Sequence, residues 1–105
     1  MEADTALNIP QMRVAAKDAT ALLRALANED RLLLLCQLVQ EEKSVGELEE
    51  LLDIRQPTLS QQLGVLRSEG LVNTRRDGKR IHYSVADSKV HALLGTLYHL
   101  FCPKE

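Results

Sequence analysis

Aromatic residues are scarce in this chain of 105 residues, which has no tryptophan and only Tyr83, Tyr98 and Phe101. A hydrophobic core must therefore consist mainly of leucine, valine, alanine and isoleucine. With 45% hydrophobic residues there is enough apolar material for a globular fold. The longest apolar run, residues 32–36, is far too short to span a bilayer. We expect one domain over residues 1–105, with no membrane association.

Cysteine, histidine and glycine are too few, or wrongly spaced, for several classes of function. The two cysteines, Cys36 and Cys102, lie 66 positions apart and do not resemble a secreted disulfide framework. The chain does not open with the basic, apolar and small-residue pattern of a secretory signal, which favours the cytoplasm. It also contains no glycine-rich phosphate loop, nucleophile elbow or metal-hydrolase motif. We expect a cytoplasmic protein that is not an enzyme and has no cofactor.

Charge is divided unevenly along the chain, although the net charge is only −2. Residues 55–80 contain six basic and two acidic side chains, a net charge of +4, which leaves −6 for the rest. A basic segment on an acidic body is a plausible binding surface for the phosphates of nucleic acid, although a solvated run of charge is more common.

Apolar periodicity and capping residues predict five helices. Asn28 is suited to cap the second helix, and Ser44 with Glu47 fits a capping box at the start of the third. Pro57 fits the first position of the fourth helix. The expected ranges are 11–26, 28–42, 45–52, 57–69 and 88–102. Because only a few residues join the third and fourth helices, this pair predicts a helix-turn-helix.

The pattern changes to that of β-strands after Gly70, which supplies a left-handed stop to the fourth helix. Residues 71–85 form two β-compatible runs on either side of Asp77-Gly78, a strong signal for a hairpin turn. The resulting order predicts a winged helix-turn-helix. This fold class is mainly α, with about five helices and a two-stranded wing.

The fourth helix should place Leu59, Leu63 and Leu66 in the core and turn a small polar face outward. Such a face suits base edges and phosphates. The candidate DNA contacts are Gln56, Thr58, Ser60, Gln61, Gln62 and Arg67 around this helix, and Arg75, Arg76, Lys79 and Arg80 in the wing. In the third helix, Val45, Leu48, Leu51 and Leu52 are expected to face inward.

Several stretches resemble the ArsR/SmtB family of bacterial repressors. Residues 26–32 (LANEDRL) and 44–48 (SVGEL) resemble the opening of that family, and residues 56–72 resemble its recognition helix. Residues 75–79 (RRDGK) with Tyr83 match its wing, so the resemblance covers almost the whole chain from about residue 18. It implies a homodimer that pairs through its first and last helices, binds double-stranded operator DNA and is released by an inducer.

The apolar pattern is compatible with such a dimer. The last helix is expected to present Val90, Leu94, Leu97 and Phe101, with Leu22 and Leu23 added by the first helix. Two-fold pairing would place two recognition helices on an inverted repeat, about 34 Å apart.

The inducer is harder to infer, because this chain departs from the metal-binding patterns of the family. Val45-Gly46-Glu47 replaces the expected Cys-x-Cys pair, and Lys89 stands at the offset from Asp87 where the last-helix pattern has histidine. Cys36 and Cys102 instead resemble the sulfide- and persulfide-responsive branch, the BigR/SqrR type. That resemblance implies reactive sulfur species as the inducer, no metal site, and DNA release when a disulfide or polysulfide bridge joins both cysteines of one protomer.

Three alternatives remain open at this point. Core packing alone would explain Cys36, and apolar burial would raise the pKa of its thiol. A metal-responsive repressor would use Cys36, Cys102 and His99. A winged helix can also serve as a protein-binding module without DNA.

Overall fold

The computed structural model describes residues 8–102, in which five helices and three strands follow one another in the order of a winged helix-turn-helix. The expected fold class is confirmed, and residues 1–7 and 103–105 of the expected domain lie outside the described residues. No helix in the described part of the chain is long and apolar enough to cross a membrane. The elements are α1 (Ile9–Leu26), α2 (Glu29–Gln40), β1 (Lys43–Ser44), α3 (Val45–Leu52), α4 (Thr58–Ser68), β2 (Val72–Asp77), β3 (Arg80–Val85) and α5 (Ser88–Phe101).

Side-chain caps determine where the first three helices begin. Helix α1 starts two residues before the expected position because Asn8 and Gln11 form a capping box, with Asn8 Oδ1 accepting from the Gln11 N–H at 2.9 Å. The expected cap of α2 is confirmed, since Asn28 Oδ1 accepts from the Arg31 N–H at 3.0 Å. The expected box of α3 is also confirmed, with the Ser44 N–H donating to Glu47 Oε1 at 2.8 Å.

Helix α4 is bounded nearly as expected. It begins at Thr58, so Pro57 is the residue before the helix rather than its first residue. At the other end Gly70 has φ +74°, its N–H donates to Arg67 O, and the Leu71 N–H donates to Leu66 O, both at 3.0 Å. These two bonds satisfy carbonyls at the helix end and confirm Gly70 as the left-handed stop.

The wing belongs to a three-stranded antiparallel sheet of order β1-β3-β2, not to a sheet of two strands. Strand β1 was missed because it is only two residues long, too short for a periodic signal. The tight turn also lies one residue later than expected. Asp77 pairs with Arg80, so Gly78 and Lys79 form the loop. Only Gly78 of the two has positive φ (+66°), which glycine at the first loop position adopts without strain.

Leucine dominates the core, as the shortage of aromatic residues predicts. The expected α4 stripe of Leu59, Leu63 and Leu66 is confirmed as buried. Leu51, however, is 56% exposed and was wrongly expected to face inward. At 100° per residue, Val45 and Leu52 lie on one side of the buried Leu48 and Leu51 lies on the other, so the inner face of α3 is narrow.

Helix α2 is the centre of the domain, because it packs against α1, α3, α4, α5 and β3. Leu34, Leu35 and Leu38 are its buried side chains. Any displacement of α2 therefore reaches both the helix-turn-helix and the last helix.

Candidate nucleic-acid interface and thiol site

The outward face of α4 is polar and open. Gln61, Gly64 and Arg67 are exposed on this face, and within residues 8–102 the Gln61 side chain forms no hydrogen bond. A methyl group added at Gly64 would meet nothing within 4 Å, so no neighbouring helix requires glycine there. This face has free donors and acceptors and room for a close partner.

Two of the expected contact residues are bonded to each other at the start of α4. Gln56 Oε1 accepts from the Ser60 N–H at 3.2 Å and from Ser60 Oγ at 2.6 Å. Pro57 offers no side-chain cap, so Gln56 satisfies an otherwise unpaired N–H of the first turn. Thr58 is only half exposed. In the free protein Gln56 and Ser60 therefore stabilise the first turn of α4, whereas Gln61 lies on its open face.

Gln62 differs from Gln61 although they are neighbours. It is half-buried, and its amide oxygen accepts from Arg31 Nη1 at 2.9 Å. The structure therefore gives Gln62 a partner inside the domain, on the first turn of α2.

The four wing cations fall into two groups. Arg75 forms a bidentate pair with Glu42, at 3.0 Å from Nε to Oε2 and 2.7 Å from Nη2 to Oε1. These hydrogen bonds hold the pKa of the Glu42 carboxyl below its ordinary value. Arg76, Lys79 and Arg80 are exposed and have no ion-pair partner in the described part of the chain. The cations around the tip are therefore available to an external anion.

Cys36 lies on the exposed surface of α2, so core packing does not explain it and that alternative is wrong. Its leucine neighbours at positions 34 and 35 take the buried face instead. The thiol borders an open cavity of about 410 Å³ between α2 and α5, with Tyr98 and His99 on the opposite wall.

Cys102, the second cysteine, is the C-cap residue of α5. It follows the last residue of α5, and its N–H donates to Tyr98 O at 2.9 Å. Partial burial raises the pKa of Cys36, as expected, and the nearby Cys102 raises it further. Both cysteines are free thiols. The fold thus places two thiols that are 66 positions apart in sequence near enough for one to influence the pKa of the other.

The residues considered for a metal site are not gathered in this way. Within residues 8–102, no three His, Cys, Asp or Glu side chains are grouped so that they could hold a metal ion, so Cys36, Cys102 and His99 do not form such a set. Structural zinc requires four ligands, and catalytic zinc three.

Helices α1 and α5 expose a large amount of apolar surface. Val90 and Leu94 were expected on this surface but are buried in the core, because that side of α5 packs on α2 and β3. Leu97 is half-buried. The exposed large apolar residues of the two helices are Ile9, Met12, Val14, Leu23, Tyr98, Leu100 and Phe101. A small monomer rarely leaves so many exposed, and such a patch is typical of a surface that contacts a partner.

A family described as "Bacterial regulatory protein, arsR family" matches residues 28–74, which run from the cap of α2 into β2. The biofilm growth-associated repressor of Agrobacterium fabrum is 54% identical over 97 residues, which are 92% of this chain and 83% of that protein.

Solved structures match over nearly the whole length. The transcriptional repressor BigR from Xylella fastidiosa has a TM-score of 0.86 and 46% identity, and the match covers 93% of this chain and all of that one. Reduced HlyU from Vibrio cholerae has a TM-score of 0.86 and 41% identity, and covers 90% of this chain and all of that one.

Proposed function

The chain belongs to the ArsR family of bacterial regulatory proteins, and we propose that it is a dimeric transcriptional repressor whose DNA binding ends when Cys36 and Cys102 are bridged. The juxtaposition of the two free thiols across α2 and α5 carries the second half of this proposal. The family consists of DNA-binding regulators and not of enzymes. Because bacterial operator DNA lies in the cytoplasm, the proposed function requires the protein to work there.

The DNA-binding half rests on geometry and charge. The polar face of α4 offers Gln61 for a bidentate bond to adenine and Arg67 for phosphate or guanine. The unpaired cations of the wing suit phosphate or the minor groove. The acidic residues are concentrated outside residues 55–80, so this surface attracts DNA although the whole chain is acidic.

Replacement of a wing cation tests the phosphate contacts. Arg76→Ala, Lys79→Ala and Arg80→Ala should each weaken binding to all DNA sequences. Each should also reduce the slope of log K against log salt by about 0.9, the effect of one lost phosphate contact. Fluorescence anisotropy over a salt series measures both, with a duplex that the wild-type protein has selected from a random library. Arg13→Ala, on exposed α1, is the control and should keep the full slope. An unchanged slope in all three wing variants would exclude the wing from the interface.

Replacement of Gln61 tests base reading. Gln61→Ala should weaken binding to the selected duplex by about 1–3 kcal/mol. The loss should disappear when particular base pairs are changed, because a base contact acts at one position only. Measurements with a set of single-base-pair variants of the duplex show this pattern. An equal loss on every duplex would mean that Gln61 does not read a base.

The homodimer follows from the unpartnered apolar surface of α1 and α5. Two copies related by a two-fold axis would cover each other's exposed side chains and place two α4 helices on successive major grooves of an inverted repeat. A second copy of the chain is the expected partner, because a two-fold interface pairs the same apolar surface of both protomers.

Polysulfide can supply the chemistry of the switch. One cysteine thiolate attacks the terminal sulfur of a polysulfide and becomes a persulfide, while the shortened polysulfide leaves. The other thiolate then attacks the cysteine sulfur of that persulfide, forms the disulfide and releases hydrosulfide. The two thiols lose two electrons, which leave with the released sulfide. If both cysteines carry an extra sulfur before closure, one is released and the bridge is a trisulfide.

Bridge formation would act on DNA binding through α2. A disulfide requires Cα atoms within about 7 Å, and inserted sulfur atoms extend this reach. The bridge would fix the middle of α2 to the end of α5, while α2 also packs against α4. A small shift of α2 would then change the spacing of the two recognition helices on the operator. By linkage, DNA-bound protein should form the bridge less readily than free protein.

A mobility-shift experiment tests this function directly. Reduced protein should retard the selected duplex, sodium polysulfide should release it, and a dithiol reductant should restore binding. Zinc and copper, added separately to the reduced protein, should have no effect on binding. Release by a metal and not by polysulfide would replace this proposal with a metal-responsive repressor.

A further inference from the structure

The side chain of Arg31, in the first turn of α2, makes three hydrogen bonds to two separate segments of the chain. Its Nε donates to Ala25 O at 2.6 Å, and its Nη2 donates to Arg24 O at 3.3 Å, both at the end of α1. Its Nη1 donates to Gln62 Oε1 at 2.9 Å, in the middle of α4. The fork of the guanidinium therefore spans the end of the first helix and the recognition helix.

The chemistry of these partners indicates a role in positioning. Within residues 8–102 the Arg31 side chain has no carboxylate partner, and its three acceptors are neutral oxygens of the protein. The last carbonyls of a helix lack a donor from the next turn; here Arg24 O also accepts from the Ala27 N–H at 3.3 Å. A cation at this end also favours the helix dipole. Three bonds in fixed directions hold a planar guanidinium in one orientation, which the single ammonium of lysine could not reproduce.

The third bond determines how α4 is held. Leu59, Leu63 and Leu66 bury one side of this helix, but an apolar stripe of similar leucines tolerates some rotation. Gln62 lies at the edge of that stripe, next to the exposed Gln61. A directional hydrogen bond at Gln62 therefore limits the rotation that would turn Gln61 and Arg67 away from a groove.

We propose that Arg31 is a positioning residue for DNA binding, which fixes the rotation of α4 relative to α1 through its bond to Gln62. The inference rests on the DNA-binding half of the proposed function and on α1 as the dimer helix. It assigns Gln62 to the support of the recognition helix, in place of the DNA contact that the sequence predicts.

The test compares Arg31→Met, Gln62→Met and the double variant by fluorescence anisotropy with the selected duplex over a salt series. Each single variant should bind about tenfold more weakly, the effect of one charge-assisted hydrogen bond. The double variant should bind no more weakly than the weaker single variant, because both remove the same bond. The salt slope should stay unchanged, because neither side chain contacts phosphate.

Two further variants separate positioning from other roles. Arg24→Met removes the same charge nearby but keeps the Arg24 carbonyl, and should bind like the wild type. Arg31→Lys keeps the charge without the fork, and should bind as weakly as Arg31→Met. If Arg31→Met does not fold, as judged by circular dichroism, Gln62→Met still tests the bond, because both bonds from Arg31 to α1 remain.

Four results would overturn the inference. The first is that Gln62→Met binds like the wild type, and the second is that the affinity losses of the single variants multiply in the double variant. The third is that Arg31→Met reduces the salt slope by about one unit. The fourth is that the affinity loss of Gln62→Met is confined to duplexes with particular base pairs. None of these measurements involves polysulfide, so a failure of the thiol switch is distinguishable from a failure of this inference.

Discussion

Cys36→Ser and Cys102→Ser should each bind operator DNA like the wild type when reduced, and neither should release it in polysulfide. In the wild-type protein, a change from almost complete binding to almost complete release requires an affinity loss of about 10⁴-fold, or about 5.5 kcal/mol. Serine replaces the sulfur atom of each side chain with oxygen, which cannot form the bridge. Titration of each variant with the selected duplex, before and after polysulfide treatment, measures the loss.

The two variants must fail equally, because a bridge needs both sulfur atoms. Release of one variant but not the other would indicate that modification of a single cysteine is enough. Ser44→Ala, in β1 and at the N-cap of α3, is a control for effects of a changed side chain that do not involve a cysteine. It loses one N-cap bond of α3 and should still respond to polysulfide.

Leu23→Asp or Leu100→Asp should turn the dimer into a monomer. Leu23 is 53% exposed and Leu100 is 70% exposed in the single chain, so the protomer tolerates a charge there, but a dimer interface would bury that charge without a partner. A monomer reaches only one half-site at a time, and the loss of the second contact should weaken operator binding by about 10²- to 10⁴-fold. Multi-angle light scattering gives the mass, and anisotropy the affinity.

Leu51→Asp is a matched control for the dimer variants, because Leu51 is 56% exposed but lies on α3. It should remain dimeric at the same micromolar concentration. If the α1 and α5 variants stay dimeric as well, the two-fold interface lies elsewhere on the domain.

Local signals in the sequence predicted most of the fold. The caps at Asn28 and Ser44 and the stop at Gly70 act within a few residues, so the sequence pattern is enough to locate them. The capping box of Asn8 and Gln11 has a similar signal, an Asn followed three residues later by Gln, but the expected start at residue 11 rested on apolar periodicity and was therefore two residues late.

Contacts between distant residues could not be predicted in this way. The bonds from Arg31 to Gln62 and from Arg75 to Glu42 join residues 31 and 33 positions apart. Helical spacing places Gln62 nearer than Gln61 to the leucine stripe of α4, but nothing in the sequence identifies Arg31 as the partner of Gln62, or distinguishes Arg75 from Arg76. Their separate roles depend on which side chain the packing of α2, α4 and the wing brings to a partner.

The sequence pattern also did not predict which apolar residues of α5 are exposed. Val90 and Leu94 have the same helical spacing as the exposed side chains near the end of α5. Which part of an apolar helix enters the core depends on where its neighbours end. The buried side chains of α5, Val90 and Leu94, lie in its first half, whereas its last turn exposes Tyr98, Leu100 and Phe101.

The central claim is that a bridge between Cys36 and Cys102 of one protomer accompanies DNA release. The most direct test mixes ¹⁴N- and ¹⁵N-labelled chains, binds the dimers to the selected duplex, adds polysulfide and separates bound from released protein on a native gel. Non-reducing digestion and mass spectrometry then identify linked peptides in each fraction. We predict bridges between peptides of the same isotope, with or without extra sulfur atoms, in the released fraction and not in the bound one. Unlinked cysteines in the released fraction, or bridges that join the two isotopes, would contradict this account.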